Sequence, residues 1–212
     1  MSATPSALDA LVSEIKACRI CLEAPTGKPL PHEPRPVVTA SATARIMIVG
    51  QAPGNRVHLS GQPFTDPSGD RLRAWMGVDK ATFYDSSRVA IIPMGFCFPG
   101  NDAKGGDLPP RRECVATWHD RLMPLMPDAD LILVIGRYAI DYHFARLGLS
   151  HFNRPTLTET VMVWREIFEA SVTPRILVLP HPSWRNTGWL KQNPWFDADL
   201  VPRLQAEVAA RL

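Results

Sequence analysis

The sequence predicts an α/β fold, three layers in α/β/α order around a central four-stranded, mainly parallel sheet. Three observations predict it. Four short apolar runs rich in β-branched residues (45–49, 88–93, 130–135 and 175–180) have the length and composition of buried parallel strands. The segments between them are helical in character, and strands that alternate with helices build parallel sheets covered on both faces. A loop bearing glycine or proline follows each run, at the sheet edge where open α/β sheets bind their ligands.

Each element follows in order. Residues 6–17 place Leu8, Leu11, Val12 and Ile15 at helical spacing, which predicts an amphipathic helix. Residues 22–43, rich in proline, threonine and serine, form a long surface connection. The first strand, 45–49, runs into Gly50-Gln51-Ala52-Pro53-Gly54. This loop continues through Gly61–Pro67 until Ser68 caps a helix reaching about Gly77. The second strand, 88–93, leads into Met94-Gly95-Phe96-Cys97 and a polar, glycine-rich loop. Pro109 and Pro110 begin the next helix, to about Met126, since a missing N–H costs least in a first turn. After the third strand, 130–135, Gly136 turns the chain into a helix through Leu147. Residues 150–174 are ambiguous, and Val161–Phe168 fits strand or helix. The fourth strand, 175–180, and a final helix over 197–211 complete the fold. There is no internal repeat or domain boundary, so residues 1–212 read as one domain.

Composition bounds the function. Of the 212 residues 45% are hydrophobic and 21% charged, ordinary values for a globular protein with a sizeable core. A net charge of +2 provides no polybasic tail, although a local basic groove fits within a balanced total. No apolar stretch approaches a membrane span, and the first residues lack a basic start followed by an apolar segment. The expectation is a cytoplasmic monomer with no membrane partner.

Two groups of residues carry candidate chemistry. Cys18 and Cys21 form C-x2-C, and Cys97 and Cys114 lie far downstream with sixteen residues between them. Four thiolates of this kind suit zinc or a [4Fe–4S] cluster, and buried, incidental thiols fit the spacing equally well. The second group is His181-Pro182-Ser183-Trp184-Arg185-Asn186, which adds an imidazole and a guanidinium to the strand-end loops.

At these loops the chain resembles the uracil-DNA glycosylase superfamily. Gly50–Gly54, continuing through Gly61-Gln62-Pro63-Phe64 and Ser68-Gly69-Asp70-Arg71-Leu72, is similar to the first motif of the iron–sulfur (family 4) branch. His181–Asn186 is similar to the final motif of the superfamily. The order of the four cysteines resembles the cluster ligands of that branch. The resemblance spans roughly residues 15–190.

It implies an enzyme that extrudes a nucleotide from DNA and hydrolyses the bond between uracil and its sugar, opening base-excision repair. His181 would stabilise the departing base, as oxyanion donors do elsewhere. Phe64 would stack on the base. Gly50, Gln51 and Ala52 would bring backbone groups to the base, with Ser183 alongside His181. Arg185 and Asn186 lie where the family carries a loop that presses into the duplex or holds phosphates. Cys18, Cys21, Cys97 and Cys114 would hold a [4Fe–4S] cluster, or zinc in its place, in a structural role. Trp184, Arg185, Trp189 and Lys191 could form an aromatic and basic edge facing DNA, or the aromatic members could pack the last helix.

The chain departs from the family at two points. One branch carries aspartate where this chain has Ala52, and the iron–sulfur branch carries glutamate where it has Gln51. Asp66 is the replacement carboxylate for orienting water, with Asp70 as its rival. Asp66 also fits a helix cap or the Asp66-Pro67 turn. An asparagine that reads the uracil edge is replaced by Pro93, which leaves base reading to backbone groups around Pro93, Met94 and Gly95 or to a side chain elsewhere in the chain. These gaps keep two other expectations open: a catalytically weak relative that binds damaged or single-stranded DNA, and a glycosylase for another deaminated base.

Overall fold

The structure is a computed structural model, and it describes residues 6–126 and 128–212. The single-domain reading also takes in residues 1–5 and 127, which lie outside the described residues. Four strands, β1 (Ile46–Val49), β2 (Val89–Ile91), β3 (Leu131–Ile135) and β4 (Arg175–Leu179), form one sheet in the order β2-β1-β3-β4. Every pairing is parallel, with Ile46 opposite both Val89 and Leu131, and Leu131 opposite Arg175. The sheet is therefore wholly parallel. Buried on both faces, its strands are apolar throughout, with only Arg175 at the start of β4 half-buried.

The strand order reverses between β1 and β3. The chain leaves β1 toward one edge and β3 toward the other, so right-handed crossovers put their helices on opposite faces. Helix Pro67–Met76, in the first crossover, packs against the last helix, Val201–Ala209. Helix Arg137–Arg146 lies on β3 and Trp164–Ala170 on β4, while Ala7–Lys16 meets the short helix Asp120–Leu122. A crevice outside the carboxyl ends of β1 and β3 follows from this topology.

Several boundaries differ from those the sequence predicts. β2 ends at Ile91 rather than residue 93. Pro93 has no N–H to donate, and Met94 turns its own N–H to the Gly50 carbonyl (2.8 Å). The helix expected to be capped by Ser68 starts at Pro67, with Asp66 in the N-cap position. The helix predicted from Pro109 starts at Arg112, and residues 115–119 within it form a π-helical turn. The ambiguous region 150–174 is helical at Leu157–Met162 and Trp164–Ala170. Thr156 and Glu159 close a capping box there: the Thr156 hydroxyl accepts from the Glu159 N–H, and the Glu159 carboxylate accepts from the Thr156 N–H. Short helices at Ile20–Glu23, Asn55–Ser60, Lys80–Tyr84 and Thr187–Gln192 add to the predicted set. Among the described residues no helix is long and apolar enough to cross a membrane.

Candidate active site

The crevice is a cavity of about 280 Å³ at the carboxyl ends of the strands. Gly50–Gly54 from the β1 loop, Pro93 after β2, Ile135 at the end of β3 and His181 after β4 all line it. Phe64, Asp66 and Ser68 close it from the start of helix Pro67–Met76, and Asp107 lines it from the loop after β2. Of the residues singled out in the sequence, Gly50, Gln51, Ala52, Phe64, Asp66 and His181 are thus brought together around one space.

The β1 loop presents donors. Among the described residues the N–H groups of Gln51, Ala52 and Gly54 meet no protein acceptor. The carbonyls of Gly50 and Gln51 are occupied by the N–H groups of Met94 (2.8 Å) and Gly95 (2.9 Å). Met94 and Gly95 are not among the cavity-lining residues, and their N–H groups are spent bracing the loop that is.

His181 lines the cavity and is exposed to solvent at its mouth. The Ser183 N–H donates to its Nδ1 at 3.2 Å, which leaves the ring proton on Nε2. Desolvation pushes the imidazole pKa down and outweighs the opposing pull of Asp66 and Asp107. His181 is accordingly a neutral ring with Nε2–H free to donate.

The final loop is held by side chains that the sequence placed against DNA or left unassigned. The Asn186 amide donates to the His181 carbonyl at 2.7 Å, so it closes the loop on itself. Arg71 reaches across from helix Pro67–Met76 to donate to the Ser183 carbonyl (2.8 Å) and the Thr187 hydroxyl (3.1 Å). Trp184 stands out from this loop, 73% exposed, with the Arg185 guanidinium 6.0 Å from its ring centre. Trp189 turns inward: its indole N–H donates to Thr158 and its ring packs on Trp195 and Phe196. The aromatic residues of the proposed edge therefore divide, Trp189 packing the last helix and Trp184 projecting. Lys191 is exposed.

Asp66 is the helix N-cap by position only, because its side chain caps no backbone N–H. Its carboxylate accepts from the Ser68 hydroxyl at 2.5 Å and lines the cavity. Asp70 instead pairs with the buried Arg73 at 2.6 Å and is not among the residues that line the cavity.

Phe64 has a backbone φ of 54°, a left-handed conformation that costs a residue with a side chain about 1–2 kcal/mol. Three groups hold it there. The Tyr84 hydroxyl donates to the carbonyls of Pro63 and Phe64, both at 3.0 Å, and Arg73 reaches the same Phe64 carbonyl at 3.4 Å. Gly69 packs so tightly below that a Cβ there would stand 1.9 Å from the Phe64 oxygen. The Phe64 ring meets Phe83 edge-on at 5.9 Å, leaving it half-buried on the cavity wall. None of this support is legible in the sequence, although Ser68-Gly69 lies inside the first motif.

Cys18, Cys21, Cys97 and Cys114 line a second cavity together with Pro34, Pro36, Phe96 and Trp118. The thiols are free, and among the described residues no three potential ligands close to the spacing of a single-ion site. The neighbouring Cys114 thiol draws the Cys21 pKa down to about 7, while the Cys21 sulfur and burial push that of Cys114 up. Burial pushes Cys97 up to about 12. The Phe96 N–H points at the Cys114 sulfur at 3.5 Å. Beside them Glu113 is buried. Burial alone would raise its pKa, but hydrogen bonds from backbone N–H groups and from Arg111 (2.8 Å) win and hold it near 2. An all-sulfur donor set in an apolar shell suits a thiolate-bound metal group.

The family model described as the uracil DNA glycosylase superfamily matches residues 37–205. The match takes in all four strands and every residue lining the first cavity, while Cys18 and Cys21 precede it.

Proposed function

This chain belongs to the uracil DNA glycosylase superfamily, a family of DNA repair enzymes, and on that premise we propose that it excises uracil from DNA by hydrolysis. The observation that carries the reading is the convergence of a neutral imidazole, a carboxylate and an aromatic ring on one cavity beneath unpaired backbone donors. The target nucleotide leaves the stack and enters the cavity, where Phe64 stacks on the base. The bond from the sugar C1′ to the base nitrogen breaks with its electron pair going to the base. His181 Nε2–H donates to uracil O2, where that negative charge gathers, and the Gln51 and Ala52 N–H groups add to the field. Asp66, oriented by the Ser68 hydroxyl, holds the water that adds to C1′ and accepts its proton. Trp184 and Arg185 face the duplex.

The four cysteines fit a [4Fe–4S] cluster, which when bound contributes structure rather than bond cleavage. Cys18 and Cys21 follow helix Ala7–Lys16, Cys97 follows β2 and Cys114 opens the next helix. Their ligation would pin those three segments together. Purified without oxygen, the protein should contain about four irons per chain and absorb broadly in the visible. Cys97→Ser should bleach that absorbance, and a wild-type protein that carries zinc instead would refute the cluster.

The function is tested by release of free uracil from uracil-containing oligonucleotides, single- and double-stranded. Wild type should release it, and Asp66→Asn should slow release by about 100-fold or more without changing DNA affinity, the scale for a positioned acid–base group. Binding without release by the wild type would instead point to the DNA-binding relative.

A further inference from the structure

Asp107 belongs to no motif, yet it lines the cavity with His181 and its charge acts on the His181 ring. Its position is built rather than incidental. The loop from Gly100 to Leu108 folds back on itself: the Leu108 N–H bonds to the Gly100 carbonyl (2.9 Å), Asn101 bridges to Asp107, and the Asp102 N–H bonds to the Gly106 carbonyl (2.7 Å). Asp102 in turn accepts from the N–H groups of Lys104 (2.8 Å) and Gly106 (2.9 Å). The Asn101 amide donates to Asp107 Oδ1 at 3.1 Å, while Oδ2 faces the β1 loop, 3.6 Å from where a Gly54 Cβ would stand. Gln51 ties the two loops together through the Leu108 carbonyl (3.3 Å).

We propose that Asp107 is the base-reading group of this site, its carboxylate accepting the imide N3–H of uracil next to the O2 that His181 holds. This rests on the glycosylase reading above. The chemistry fits the bare edge left by Pro93, which has no side-chain donor or acceptor. A donor (His181 Nε2–H) and an acceptor (Asp107) lining the same cavity suit adjacent C=O and N–H groups, the lactam edge of uracil. Cytosine presents a lone pair at N3, so the carboxylate would face an acceptor and both would be left unpaired. A site built this way rejects the mismatched base far more strongly than an apolar pocket can.

The experiment measures single-turnover base release from oligonucleotides carrying uracil or N3-methyluracil, by wild type, Asp107→Ala, Asp107→Asn and Asp66→Asn. Wild type should release uracil at least about 100-fold faster than N3-methyluracil. Asp107→Ala should lower uracil release by about 10- to 100-fold and bring the two substrates within a few-fold of each other. Asp107→Asn, which keeps an acceptor oxygen, should recover part of both the rate and the discrimination. Asp66→Asn should slow both substrates alike and keep the preference. Asp107→Ala that retains the preference overturns the proposal. So does Asp107→Ala that accepts both substrates with no loss on uracil, since that is a wall excluding the methyl group by bulk. A parallel pair, hypoxanthine and N1-methylhypoxanthine, separates the two levels of inference. Preference between these abolished by Asp107→Ala, with no uracil released by wild type, would keep the reader and discard uracil as substrate. Release of none of the four bases would discard both.

Discussion

His181→Ala should lower release of uracil by at least an order of magnitude while leaving the thermal midpoint within a degree or two of wild type. The two halves of this expectation come from different contacts. The imidazole contributes little to the fold, because among the described residues its one protein hydrogen bond is from the Ser183 N–H and its ring is open to the cavity mouth. The loop around it is closed by bonds to backbone carbonyls, from Asn186 to that of His181 and from Arg71 to that of Ser183, and alanine keeps both carbonyls. What disappears is a neutral donor placed before the reaction begins, where charge develops on the leaving base. Removing one such donor typically costs about 100- to 1000-fold. Single-turnover release beside a thermal melt checks both halves. Near-normal release would remove His181 from the chemistry, and a large drop in midpoint would make it a structural residue.

Gly69→Ala should be the most damaging glycine-to-alanine substitution in the chain. The added methyl would meet the Phe64 carbonyl oxygen at 1.9 Å and its carbon at 2.7 Å, and these are backbone atoms that no rotamer change can clear. Phe64 cannot yield easily. Its φ of 54° is fixed by Tyr84 and Arg73 at the same carbonyl, and Arg73 is itself buried and paired with Asp70. Destabilisation on the order of 3 kcal/mol is expected, about 10 °C in Tm for a chain of this length. Activity should fall further than stability alone explains, because the turn that yields is the one carrying the stacking ring. Measuring base release well below the lowered Tm separates the two effects. A variant that melts like wild type would show that the Phe64 turn is free to relax.

The sequence makes the sheet legible because its strands are buried on both faces. Ile46–Val49, Val89–Ile91, Leu131–Ile135 and Ile176–Leu179 are apolar, rich in β-branched residues and bounded by turn residues. The Gly50–Gly54 and His181 loops are legible as neighbours for the same reason, since parallel strands deliver their ends to one edge. Residues 150–174 read ambiguously because a short apolar run does not declare its period, although Thr156 and Glu159 carried a capping signal that would have decided it. Asp107 was hidden for a different reason. It reaches the cavity through a loop that reverses on its own side-chain and backbone hydrogen bonds, and no local pattern says where such a loop will point. The hold on Phe64 was hidden likewise, since Tyr84 and Gly69 meet it only after the chain has turned back.

Arg71 has a mechanical consequence. It extends from the helix that begins just after Asp66 and grips the carbonyl of Ser183, whose own N–H holds the His181 ring. Two surface loops on separate strands would ordinarily fluctuate independently, and the gap between their tips would vary by the sum of both motions. With one guanidinium bridging them, a displacement of either loop carries the other along. The carboxylate and the imidazole then drift together, and their separation stays steadier than the position of either one.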